Sequence, residues 1–136
     1  MSNLEQTLSI IKPDAVERNL DEKIKDFFLQ NNLKILKSKK VKISKEEASE
    51  FYKVHQTKPF YDALCTYLSS GPIIVMILEG ENAVLKNREL MGETDPLKAE
   101  EGTLRKMYGI SIDKNSVHGS DSIENAKKEI GFFFKK

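Results

Sequence analysis

The chain alternates short apolar runs with segments of helical spacing, and this pattern divides it into elements. Thr7-Leu8-Ser9-Ile10-Ile11-Lys12 is rich in strand formers and stops at Pro13, so it predicts a first strand. Asp21 to Asn32 has helical spacing at Ile24, Phe27 and Phe28 and ends in Asn31-Asn32. Leu33 to Ile43 predicts a second strand, after which Ser44 and Glu47 have the spacing of a capping box. A helix is expected over about Pro59 to Leu68, broken by Ser70-Gly71-Pro72. Ile73-Ile74-Val75-Met76-Ile77-Leu78 is an unbroken apolar run, as a central strand buried on both faces would be. Glu81 to Met91 predicts a helix, Gly92 to Gly102 a loop with a turn at Thr94-Asp95-Pro96, and Thr103 to Tyr108 a short helix. An irregular stretch is expected up to His118. A last helix is predicted from Asp121, where Asp121 and Glu124 have capping-box spacing and Ile123, Ala126, Ile130 and Phe133 form the buried stripe.

This order predicts an α+β fold of ferredoxin-like βαββαβ type, a small antiparallel sheet covered by helices. At 136 residues the expectation is a single domain over residues 1–136. The 22 basic and 21 acidic residues nearly cancel, which argues against nucleic acid held by bulk charge. Lys34, Lys37, Lys39, Lys40, Lys42 and Lys45 have no aromatic residues between them, so they read as a solvated strand face rather than a nucleic-acid groove. The single cysteine, Cys65, excludes an internal disulfide and reads as a buried helical thiol. No segment has the apolar length of a membrane span, and Met1 to Gln6 lacks the charged and apolar regions of a leader, so a cytoplasmic protein is expected.

The chemistry concentrates in Asn115-Ser116-Val117-His118-Gly119-Ser120-Asp121-Ser122. One of only two histidines stands there between a small-residue turn and a helix start. Unpaired N–H groups and partial positive charge at a helix N-terminus suit phosphate, and a neutral imidazole can attack phosphorus and hold the phosphoryl group. A Ser-His-Asp hydrolase within this block fails on geometry, because triad members converge from distant segments, and there is no nucleophile elbow. Neither common glycine-rich phosphate loop occurs. Lys12, at the end of the first strand, can project charge into a crevice beside the sheet. Arg88, Thr94 and Arg105 can clamp a diphosphate, although ordinary surface arginines have the same spacing. Tyr52 and Phe60 flank a loop where an aromatic ring can stack on a base or simply pack in the core. Glu129 lies beside the last helix's apolar stripe, either turned inward to orient His118 or exposed. His55 has no ligand-forming neighbour at zinc spacing.

These pieces resemble the nucleoside diphosphate kinases from end to end. The resemblance rests on Ile11-Lys12-Pro13-Asp14-Ala15-Val16, Phe51-Tyr52, Lys58-Pro59-Phe60-Tyr61, Ser70-Gly71-Pro72, Asn87-Arg88, Gly92-Glu93-Thr94-Asp95-Pro96, Gly102-Thr103-Leu104-Arg105 and Asn115 through Ser122. It implies a ping-pong exchange in which a nucleoside triphosphate, mainly ATP, phosphorylates His118 and a diphosphate such as GDP takes the group. In that scheme Glu129 and Ser120 support the His118 ring. Lys12, Tyr52, Arg88, Thr94 and Arg105 form the phosphate clamp, and Lys12 and Asn115 reach the sugar 3′-hydroxyl. Phe60 stacks on the base, with Ile112 on its other side. Mg²⁺ would bridge the phosphates rather than take a set of protein ligands. A homo-oligomer, tetramer or hexamer built from dimers, is implied as well. The alternative is a nucleotide-binding regulatory module without turnover. Ala15 and Asn19 depart from the family where glycine is frequent, and Lys106 where a small residue is usual. The chain also ends at Lys136, short of relatives whose tails reach a neighbouring subunit.

Overall fold

Every second residue of the strongest apolar run faces a different core. In the computed structural model, which describes residues 4–53, 56–111 and 114–134, that run lies within β3 (Ile73–Glu81). Ile74, Met76 and Leu78 enter one hydrophobic cluster with Phe28, Leu33, Met91, Leu104 and Val117. Ile73 and Val75 enter another with Leu8, Ile10, Cys65, Leu68 and Phe133. The period-2 side-chain alternation of a strand thus feeds two cores, and the expected burial on both faces is observed.

β3 pairs antiparallel with β1 (Leu4–Ile11) on one side and β2 (Lys34–Val41) on the other; β1 pairs antiparallel with β4 (Val117–Gly119). The sheet order β2-β3-β1-β4 is the ferredoxin-like arrangement expected from the element order. Helices α1 (Pro13–Glu17) and α2 (Asp21–Gln30) join β1 to β2, and α3 (Lys45–Phe51) and α4 (Tyr61–Leu68) join β2 to β3. Helices α5 (Ala83–Met91) and α6 (Leu104–Tyr108) lead to β4, and α7 (Ile123–Phe133) packs back across β1. The lysine-rich segment forms the edge strand β2, whose residues are mostly exposed. Cys65 is fully buried.

The capping box of α3 is present: Ser44 Oγ accepts from Glu47 N at 3.0 Å, and Ser44 N donates to Glu47 Oε1 at 3.0 Å. Such a cap contributes about 1 kcal/mol, less than the roughly 2 kcal/mol from burying one side chain such as Leu68. Packing on the sheet therefore decides where the helices lie.

Four expectations are corrected. Ile123, expected in the buried stripe of the last helix, is 49% exposed in the first turn of α7, while Ala126 and Phe133 are buried. The irregular stretch before His118 contains a strand, β4, because three residues suffice to extend the sheet beside β1. The last helix begins at Ile123, and its cap is Ser122, whose Oγ accepts from Asn125 N at 3.1 Å. Asp121 instead accepts from the Asn125 side chain, so the Asp121–Glu124 box does not form. The Pro13 turn is the first turn of α1, with Lys12 as its extended N-cap and Pro at the position where a missing N–H costs nothing. Asn19, where the family favours glycine, has φ 59°, a left-handed conformation that asparagine tolerates. Ala15 lies inside α1, where alanine suits a helix better than glycine. His55 lies outside the described residues.

Helix α5 reaches β4 through Gly119. A Cβ there would lie 2.2 Å from Asn87 Nδ2 and 2.9 Å from Met91 Cε. Asn87 is fully buried and has no room to yield. Gly119→Ala is therefore expected to destabilise the protein by about 1–3 kcal/mol. The check is a lower urea midpoint at unchanged slope; an unchanged midpoint would contradict this packing.

Candidate active site

β4 brings His118 opposite Ile10 of β1, on the sheet face covered by α3, α4 and α7. Its imidazole is held by hydrogen bonding at one nitrogen. Nε2 lies 3.0 Å from Glu129 Oε1, on α7. The same carboxylate oxygen accepts from Ser120 Oγ at 2.8 Å. Ser120 is itself fully buried and tied to β1: its Oγ accepts from Leu8 N at 3.3 Å, and its N donates to Leu8 O at 3.2 Å. A carboxylate only accepts, so in a neutral ring bonded this way the hydrogen is on Nε2 and the lone pair on Nδ1. An imidazole, a carboxylate bonded to it and a hydroxyl that steadies the carboxylate thus form one chain.

Two buried cationic side chains join the same segment. Lys12 is 5% exposed; its Nζ donates to Asn115 Oδ1 at 2.9 Å, and its N to Ser116 O at 2.8 Å. Asn115 Nδ2 donates in turn to Thr94 O at 3.1 Å, which fixes the loop after α5 against the turn before β4. Arg105 Nη1 donates to Gly92 O at 3.1 Å and Nη2 to Val117 O at 3.0 Å, beside His118. Burial, and after it the charge of Arg88, pulls the Arg105 guanidinium down to about 10. Two like charges are therefore held together in a partly dehydrated place, an arrangement an anion relieves. Gly92, whose carbonyl accepts from Arg105, has φ 84° and leaves room for the Thr103 side chain: a Cβ would lie 2.5 Å from Thr103 Oγ1.

Tyr52, at the C-cap of α3, is 5% exposed, and its ring lies 6.4 Å from that of His118. Burial, with the Glu129 charge adding to it, pushes the Tyr52 phenol well above its ordinary value, so it stays a neutral hydrogen-bonding group. Phe60 is carried separately at the N-cap of α4 and is 46% exposed. Ile112 lies outside the described residues. Arg88 and Thr94 are exposed, on α5 and in the loop that follows it. Among the described residues, no group of three or more His, Cys, Asp or Glu side chains could hold a metal ion.

A second network was not visible in the sequence. Asp14, on α1, accepts from Ser116 Oγ at 2.7 Å and Arg18 Nη2 at 3.0 Å, and from the Tyr67 hydroxyl of α4. Burial, and next the bond to Asp14, raises the Tyr67 phenol. This network holds Ser116 at φ 74°, in the turn that delivers Asn115 and β4.

Comparison with known proteins agrees over nearly the whole chain. The family profile described as nucleoside diphosphate kinase matches residues 5–136. A nucleoside diphosphate kinase of Nitratiruptor sp. is 58% identical over 131 residues, covering 96% of each chain. That of Campylobacter fetus is 57% identical over 133 residues, 98% of this chain and 97% of its own. The crystal structure of the Aquifex aeolicus nucleoside diphosphate kinase superposes with a TM-score of 0.95 at 41% identity, covering 97% of this chain and 96% of that one.

An inorganic polyphosphate tests the cationic cluster alone. Tripolyphosphate at a hundredfold excess over its Kd stabilises the folded state by about 2.7 kcal/mol, a Tm rise on the order of 10 °C for a chain of this size. Arg105→Ala is expected to melt lower without ligand and to keep less than half of that rise. An undiminished rise in the variant would show that the anion binds elsewhere.

Proposed function

The chain belongs to the nucleoside diphosphate kinase family and is a nucleoside diphosphate kinase, and from that premise we propose that it works by ping-pong exchange through a phosphohistidine at His118. Nδ1 attacks the γ-phosphorus of a nucleoside triphosphate, mainly ATP. The N–P bond forms as the bond to the β–γ bridging oxygen breaks, and that oxygen leaves with the electron pair on the diphosphate. A terminal oxygen of a second diphosphate, GDP for example, then attacks the same phosphorus and returns Nδ1 to the neutral ring. The observation that carries this reading is the Nε2–Glu129 hydrogen bond, which leaves Nδ1 for attack, with buried Lys12 and Arg105 bonded to Asn115 and Val117 of the same segment.

The remaining roles follow from charge and position. Lys12, Arg88 and Arg105 neutralise the charge that spreads over the phosphoryl oxygens, and Tyr52 and Thr94 add hydrogen bonds to the same phosphates. Asn115, bonded to Lys12 Nζ, faces the sugar 3′-hydroxyl together with it. Ser120 steadies Glu129. Phe60 stacks on the base, with Ile112 opposite, and stacking of this kind accepts every base. A phosphotransferase of this family works with a divalent cation. A cation-rich cleft suits Mg²⁺ that arrives on the nucleotide's own phosphates and shields their charge.

The whole chain, 1–136, acts as one catalytic domain. No described helix is long and apolar enough to cross a membrane, and we assign the activity to the cytoplasm. Leu97, Met107 and Ile110 are 86%, 45% and 58% exposed on one stretch of chain, which supports a homo-oligomer, a tetramer or hexamer of dimers. The regulatory-module reading without turnover is not favoured, since the relatives are kinases and the nucleophile and its supports are all present.

Transfer of labelled γ-phosphate from ATP to GDP tests the nucleophile. The wild type is expected to form GTP rapidly, and His118→Ala to bind ADP yet form none; turnover by that variant would refute the covalent path. Phe60→Ala is expected to weaken every nucleotide by about tenfold, the worth of one base stack. Equilibrium titration with purine and pyrimidine diphosphates checks this, and a loss confined to one base would instead indicate hydrogen-bond readout.

A further inference from the structure

Glu129 holds His118 by one atom, and one atom does not orient a ring. A single hydrogen bond at Nε2 leaves the imidazole free to swing about its last side-chain torsion, which for histidine is a broad, two-fold well. In-line attack by Nδ1 demands far tighter placement, since an error of about 1 Å costs on the order of 10²-fold in rate. A second restraint is needed, and it must touch the ring itself.

Phe51, the last residue of α3, is in the right place. Its ring centroid lies 5.3 Å from that of His118 at an interplanar angle of 71°, an edge-to-face contact. Phe51 is fixed in turn by rings on three sides. Tyr52 lies 5.1 Å away, Phe133 5.1 Å and Phe132 5.7 Å. Phe132 and Phe133 are on α7, the helix that carries Glu129 one turn earlier. The end of that helix is fastened to the edge strand: Lys39 Nζ donates to Phe133 O and lies 4.8 Å over the Phe134 ring. One helix therefore supplies both restraints, a carboxylate at Nε2 and an aromatic backing for the ring that meets the imidazole. Tyr52 is a weaker candidate for this part, because its ring is farther from His118, at 6.4 Å.

We propose that Phe51 is a positioning residue for the phosphoryl-transfer reaction, fixing the plane of the His118 ring so that Nδ1 faces the γ-phosphorus. This rests on His118 being the nucleophile. A residue that only fills the core would affect stability, and chemistry only through it. A positioning residue affects the phosphorylation step while nucleotide binding stays unchanged.

Rapid-quench, single-turnover phosphorylation by labelled ATP separates the two, with ADP affinity and Tm measured on the same full-length proteins. Phe51→Leu keeps the apolar volume and removes the ring; its phosphorylation rate is expected to fall by about fivefold, the worth of one edge-to-face pair, with ADP affinity unchanged. Phe51→Tyr keeps the ring and is expected to restore the rate. A wild-type rate in Phe51→Leu would overturn the inference. So would parallel losses of rate, ADP affinity and Tm that Phe51→Tyr does not rescue. Absence of phosphate on His118 in the wild type would instead overturn the reading of the nucleophile, whatever the Phe51 variants do.

Discussion

Glu129 Oε1 accepts two hydrogen bonds at once, from Ser120 Oγ at 2.8 Å and from the His118 ring at 3.0 Å, and the architecture of the site is built around keeping that oxygen in place. The carboxylate is on α7, which follows β4 directly and packs back over β1. The histidine is on β4, which exists only as an addition to the edge of β1. Ser120 joins the two, because its backbone and its hydroxyl both bond to Leu8. Moving α7 or β4 alone would break the contact. The sheet and its covering helix are thus the means by which one imidazole nitrogen is engaged.

Around this fixed ring the site stores positive charge. Lys12 and Arg105 are nearly buried, and Arg88 lies close enough to depress the Arg105 guanidinium further after burial has done so. Backbone carbonyls of Gly92 and Val117 accept hydrogen bonds from Arg105 Nη1 and Nη2, and Asn115 Oδ1 accepts one from Lys12 Nζ. These groups are held before substrate arrives, so little reorganisation is left for the transfer step. Phosphoryl transfer asks mainly for position and charge, and the cluster supplies both.

Much of this was legible in the chain. The apolar run of β3, the Ser44–Glu47 box, the Ala126, Ile130 and Phe133 part of the α7 stripe and the element order all expressed short-range physics and led to the observed sheet. The histidine block stood out because a lone His between small residues and a helix start has few structural reasons to be there. What stayed hidden depended on tertiary pairing. Three residues of β4 carry no periodicity, so a strand there is visible only beside β1. Asp121 and Ser122 are equally good caps by residue type, and the fold chose Ser122. The Asp14–Ser116–Tyr67 network joins residues up to 102 positions apart, and the strained Ser116 turn it supports leaves no local mark. Phe51 likewise looks like an ordinary helix residue until α7 brings its own rings against it.

The proposed mechanism requires the Glu129 contact at Nε2 to select Nδ1 as the nucleophile. NMR of the phosphoenzyme, formed with ATP and no acceptor and kept alkaline, reads which imidazole nitrogen bears phosphorus. The account predicts a single species phosphorylated at Nδ1 of His118, with the Nε2 proton still hydrogen-bonded. Phosphate on Nε2, or on the hydroxyl of Ser120 or Ser122, would contradict it.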